Sequence, residues 1–216
     1  MDDDEDGGSP RRGFRRAAEG FAELVAALPA DAWDRPGLGL WSVRELVAHT
    51  SRALTTVEEY VGRTADGPPV DGPVSYYAAL AAQPLGSPER AAREEAIAER
   101  GRQSVGMLGD DPAAAVTALV QRVLALVDGW ADDAPMATRG GPMTLVGYLP
   151  TRTFELVVHS LDLARATGVA VPARMRAAVA DSLRLAAGIA VARDRTEEVL
   201  LALCGRGPLP DGFTLV

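Results

Sequence analysis

Residues Arg152–Gly168 read RTFELVVHSLDLARATG, an apolar run crossed by a few ionisable side chains. On a helix, positions 152, 155, 159, 162 and 166 fall close to one face. They are Arg152, Glu155, His159, Asp162 and Ala166. The rest of the circumference is apolar: Phe154, Leu156, Val157, Val158, Leu161, Leu163 and Ala164. A surface helix shows a wide polar arc. A narrow polar line on an apolar cylinder predicts a mostly buried helix whose line faces a groove or cavity. A carboxylate there is costly without a partner, and a cation beside it removes the difficulty. Glu and His at i, i+4 can point at one metal ion. Taken alone, such a pair also fits an ordinary side-chain hydrogen bond or an exposed pair. Pro150 is expected in the first turn after a short helical lead-in from Thr144, and Gly168 is expected as the closing residue.

Working outward, the chain has two histidines, and the other is His49. It lies in a second helix expected from Ser42 to about Arg63. There SVRE sets Ser42 three residues before Glu45 as a capping box, with Trp41 ahead as a hydrophobic staple. The apolar face holds Val43, Leu46, Val47, Ala53, Leu54, Val57 and Val61, and His49 falls at its edge near Ala53 and Tyr60. Two helices of one bundle can thus aim two His and one Glu at a common point. Two imidazoles and one carboxylate leave coordination positions open, the pattern of a catalytic zinc site. The same set suits iron, nickel or manganese.

Further helices are expected over Pro10–Leu28, from Ser87 to about Leu108, and from Pro112. The last carries a stripe of Val116, Leu119, Val120, Val123, Val127 and Trp130. Others are expected over Ala173–Arg193 and Thr196–Cys204. TADGPPVDGPVSYY and DDAPMATRGGPMT read as long irregular loops. The economical fold is all-α, a four-helix bundle with additional helices.

Composition agrees. Apolar residues make up 47% and aromatics 5%, so alanine and aliphatic side chains pack the core. The net charge of −8 argues against nucleic acid and anionic membranes as partners. No apolar run reads as long enough to span a bilayer. The acidic start, MDDDEDGG, reads as disordered. A single cysteine, Cys204, excludes an intramolecular disulfide and fits a reducing cytoplasm; it is expected to be a small buried residue. No phosphate-loop or nucleophile-elbow motif is present.

WSVRELVAHT (Trp41–Thr50) and TRTFELVVHSLDLARATG (Thr151–Gly168) resemble the mycothiol-dependent maleylpyruvate isomerase amino-terminal domain, within the DinB-like superfamily. GGPMTLVGYLP and LLALCGRGPLPDGF are similar to members of the same group. The resemblance implies a DinB-like four-helix bundle holding a divalent metal, usually zinc, through His49, Glu155 and His159. It also implies that the thiol mycothiol is added to an electrophile. The cation stabilises thiolate over thiol, so a strong nucleophile exists at neutral pH. The isomerase carries a further carboxy-terminal domain, whereas this chain shows two more helices and a tail. A metal-dependent thiol S-transferase acting on another small electrophile is therefore expected, as a monomer or homodimer. The expected divisions are an acidic tail over 1–9, the metal-binding bundle over 10–170, and a helical extension over 171–216 packed on it.

Around that trio, Arg152 and Arg139 are candidates for holding a carboxylate of thiol or substrate. Arg152 and Asp162 are the further catalytic candidates, Asp162 as an acceptor that orients His159. Arg52 is expected to point outward; Tyr76 and Tyr77 could close over a ligand from their loop, and ordinary packing is the expectation. Two other readings stay open: a metal hydrolase in which water replaces the thiol, and a non-catalytic module that binds metal or ligand.

Overall fold

The computed structural model describes residues 9–80, 95, 99 and 104–216. Most of the acidic start and of the helix expected from Ser87 lie outside the described residues. The last residues of that expected helix, Val105–Leu108, form a 3-10 turn.

Helix α1 (Pro10–Ala26) has Pro at its start and buries Phe14, Ala17, Phe21, Leu24 and Val25 along one stripe. A short antiparallel ribbon follows, β1 (Pro36–Leu38) with β2 (Trp41–Ser42). It leads straight into α2 (Val43–Tyr60). There the Ser42 hydroxyl accepts from Glu45 N–H, and the Glu45 carboxylate accepts in return from Ser42 N–H at 2.8 Å, which completes the capping box. The Trp41 ring, just ahead of the helix, sits 4.4 Å from that of His49.

The first expected loop stays irregular up to Asp71, and its end opens a short helix, α3 (Gly72–Leu80), with Tyr76 and Tyr77 buried. Gly72 and Pro73 supply the helix start, while Gly67, Pro68 and Pro69 stay in irregular chain. Helix α4 (Pro112–Gly129) is capped by the Asp111 carboxylate, which accepts from Ala114 N–H. It buries the expected valine and leucine stripe, but Trp130 lies just past its end, 40% exposed, against the backbone of Gly62. By length and composition α4 is apolar enough to cross a bilayer, contrary to the sequence expectation; here it is a helix of the bundle. The second expected loop is a hairpin, β3 (Pro135–Thr138) with β4 (Gly141–Thr144).

Helix α5 (Leu145–Thr167) starts at a Thr144 cap. Pro150 therefore falls in its second turn, beyond the expected first. Gly168 ends it at φ 74°, the left-handed conformation glycine adopts without penalty. A 3-10 turn (Ala173–Met175), α6 (Arg176–Ala192) and α7 (Thr196–Leu203) follow. Cys204 is exposed and not buried, because α7 buries none of its residues.

Helices α1, α5, α2 and α4 pack in a closed ring, each against two neighbours, as a DinB-like four-helix bundle with additional helices. Helix α6 lies against α5, α3 and α1. The core runs the length of the ring, from Phe14, Phe21 and Leu24 through Leu46 and Leu54 to Leu149, Leu156 and Leu163.

Candidate functional site

The capping box fixes where α2 begins, and with it the direction in which His49 leaves the helix. The Thr144 cap does the same for α5, whose polar line then runs through Arg152, Glu155, His159 and Asp162. Both lines meet at a cavity of about 550 Å³ whose walls come mainly from α2, α3 and α5. His49, Glu155 and His159 all line it. The two imidazole rings stand 4.9 Å apart, edge to face at 83°. The His159 Nε2 lies 3.5 Å from Glu155 Oε2, and its Nδ1 lies 3.2 Å from Asp162 Oδ2. His49 on α2 thus neighbours His159 on α5, His159 also faces Glu155, and Asp162 stands at the ring nitrogen that faces away from Glu155. Among the described residues, no group of three or more His, Cys, Asp and Glu forms a ready ion cage. Glu155 and His159 instead face one another as an acid–base pair.

Their electrostatics follow from that pairing. Burial opposes ionisation of Glu155, but His159, Arg152 and Tyr77 outweigh it and draw the carboxyl down to about 2. Burial likewise disfavours the His159 imidazolium, but Asp162 and Glu155 push it up to about 9. Glu155 and His159 thus form a carboxylate–imidazolium pair held in low dielectric.

Tyr77, expected mainly to pack, is buried on α3 and reaches Glu155. Its hydroxyl lies 2.7 Å from Glu155 Oε1 and 3.0 Å from the Thr151 carbonyl. Its one proton favours the carboxylate, the charged and nearer acceptor. Burial first, and then the Glu155 charge, raise the phenol well above its usual range, so it remains a donor. The sequence signal was faint: a YYAAL run behind Pro and Gly reads as either a loop or a short helix.

Arg152 is 8% exposed and donates from Nε to Thr151 Oγ1 at 3.0 Å. Its guanidinium carbon lies 4.7 Å from the centre of the Tyr148 ring and 5.9 Å from that of Tyr76. Burial works against its charge, but the three tyrosines and Glu155 around it more than compensate, and its pKa is raised. Arg139, at the turn between β3 and β4, also lines the cavity. So does Arg52, one turn after His49, which corrects the outward placement expected for it. Among the described residues none of these three is ion-paired, whereas Arg11, Arg15, Arg122 and Arg174 on the outside all are. A chain of net charge −8 thus directs three guanidinium groups at one cavity.

No curated protein and no solved structure matches the chain. The family model described as the mycothiol maleylpyruvate isomerase N-terminal domain matches residues 14–164. That span contains His49, Glu155 and His159, the ring of four bundle helices up to Ala164, and the tyrosines and arginines of the cavity. On this match the chain belongs to the mycothiol maleylpyruvate isomerase N-terminal domain family.

Proposed function

We propose that the protein is a metal-dependent thiol S-transferase, adding a low-molecular-weight thiol of the mycothiol type to a small anionic electrophile. The observation that carries this reading is the convergence of His49 with Glu155 and His159 on one cavity wall, from two helices. The donors suit a divalent ion of the zinc type, with nickel, iron(II) and manganese(II) as alternatives. Donors 2.0–2.1 Å from a tetrahedral ion stand about 3.3 Å apart, and His159 Nε2 and Glu155 Oε2 are 3.5 Å apart. Family membership supports an enzyme in this general class. The reducing cytoplasm is the compartment that suits a thiol co-substrate.

In this reading His49, Glu155 and His159 hold the ion. When bound, the ion offers an open position at which a thiol sulfur is stabilised as thiolate at neutral pH. Asp162 accepts the Nδ1 proton of His159, which leaves Nε2 as the ligand nitrogen. Tyr77 donates to Glu155 and so fixes one carboxylate oxygen while the other faces the site. Arg152, Arg139 and Arg52 receive the negative charge of the electrophile and set its reacting carbon toward the sulfur. Trp41, Leu38 and Leu80 give the cavity apolar walls that limit water.

The test is thiol consumption by zinc-loaded protein, with mycothiol and a panel of anionic electrophiles, alongside elemental analysis. Glu155→Gln and His159→Ala are expected to lose both metal and turnover. Metal content that survives both substitutions would refute the ligand assignment. Turnover that needs water but no thiol would make the protein a hydrolase, and metal binding without turnover a binding module.

A further inference from the structure

The cavity is built almost wholly from the part of the chain shared with the family. Among the described residues, Val216 alone of those lining it falls outside residues 14–164. The segment that brings Val216 there belongs to no helix or strand, yet it is fastened along its length. Arg193, just past α6, donates from one guanidinium nitrogen to the carbonyl of Thr214 at 3.3 Å and to that of Leu215 at 2.5 Å. The Arg195 guanidinium lies 4.6 Å from the centre of the Phe213 ring. The Thr214 hydroxyl donates to the Val216 carbonyl at 2.5 Å. Leu215 packs against the hydrophobic core.

A segment without secondary structure frays unless it is tied down. Here the ties come from the turn that follows α6, a helix packed against α3 and α5. Helices α3 and α5 carry Tyr77, Arg152, Glu155 and His159, so the fastening and the chemistry share a scaffold. We propose that Phe213–Val216 is a selectivity wall, strapped by Arg193 and Arg195, which limits the size of the molecule admitted to the cavity. The wall works by volume: an aliphatic side chain at the cavity edge leaves small molecules unaffected and obstructs larger ones. This rests on the reading of the cavity as the substrate site.

Two full-length variants move the wall in opposite directions. Val216→Phe fills the edge, and Arg193→Ala releases the strap. The probe is cobalt(II)-loaded protein titrated with a small thiol, 2-mercaptoethanol, and a bulky one, glutathione, followed by the visible absorption of the cobalt–thiolate. Val216→Phe is expected to weaken glutathione by at least about tenfold, in the range that small steric changes give in apolar pockets. It should leave 2-mercaptoethanol unchanged, and Arg193→Ala should strengthen glutathione selectively. Equal effects on both thiols, or none on either, overturn the proposal. If wild-type protein takes up no cobalt, the metal reading has failed, and a second measurement decides the wall by itself. Trp41 lines the cavity; in a background with Trp33→Phe and Trp130→Phe, its quenching by acrylamide should rise with Arg193→Ala and fall with Val216→Phe. Unchanged quenching in both variants, with far-UV spectra intact, refutes the wall with or without a metal.

Discussion

The α1–α4 seam and the α2–α5 seam are built from the same kinds of helix and spend their residues differently. Between α1 and α4 the interior is Phe14, Phe21, Leu24, Leu119, Val120 and Val123, and the charges stay at the rim. There Arg11 meets Asp132 and Arg15 meets Asp128. Helices α2 and α5 bury Thr50, Ser51, Thr151, Arg152, Thr153 and Ser160. Several of these hydroxyls bond back to their own helix: Thr50 to the Leu46 carbonyl, Ser51 to Val47 and Thr153 to Leu149. Such bonds satisfy a buried hydroxyl without a partner across the seam. The ionisable groups gather at the cavity. One seam supplies the stability that lets the other hold charges in low dielectric.

This division makes separable predictions. Phe21→Ala in the apolar seam should cost about 3–5 kcal/mol in urea unfolding, the usual range for emptying a buried aromatic site. The metal content of the protein that stays folded should not change; a parallel loss of metal would show the seams to be coupled. Tyr77→Phe should do the reverse. Loss of an outer hydrogen bond to a ligand lowers metal affinity about 10–100-fold, measurable by competition with a chelator, while the melting temperature stays near that of the parent. Ser42→Ala removes the cap of α2, a helix of the second seam that also packs against α4. It should cost about 1 kcal/mol of stability and shift chelator competition much less than Tyr77→Phe does. Arg122→Ala breaks an exposed pair with Glu58 between α4 and α2. It should change stability by less than about 1 kcal/mol and leave metal binding alone.

The helices of both seams could be read from periodicity, since each buries a stripe over four or more turns. His49, Glu155 and His159 could be read for a related reason: they interrupt those stripes, and two histidines in the chain leave few pairings to consider. The connections could not. Each ribbon strand has two to four residues, too short for an alternating pattern to stand out from a turn. Helix α3 has nine residues and no apolar stripe against a polar face, so its pattern did not separate packing tyrosines from ones that face the cavity. Arg52 was misplaced because it sits beside His49 at the edge of the stripe, where a small rotation of α2 decides whether a long side chain turns inward. Cys204 was misplaced because α7 packs on its neighbour by position in the chain, and an apolar composition alone does not bury a helix.

Gly20 has a consequence beyond its own helix. A Cβ there would lie 2.2 Å from Cγ of Met175, a fully buried residue in the turn that precedes α6. No residue of α1 lines the cavity, yet a single added methyl on α1 would lever that turn away and tilt α6 with it. The displacement would pass through Arg193 to the far rim of the binding chamber, so Gly20→Ala is expected to alter ligand discrimination from behind, like a shim driven under a hinge.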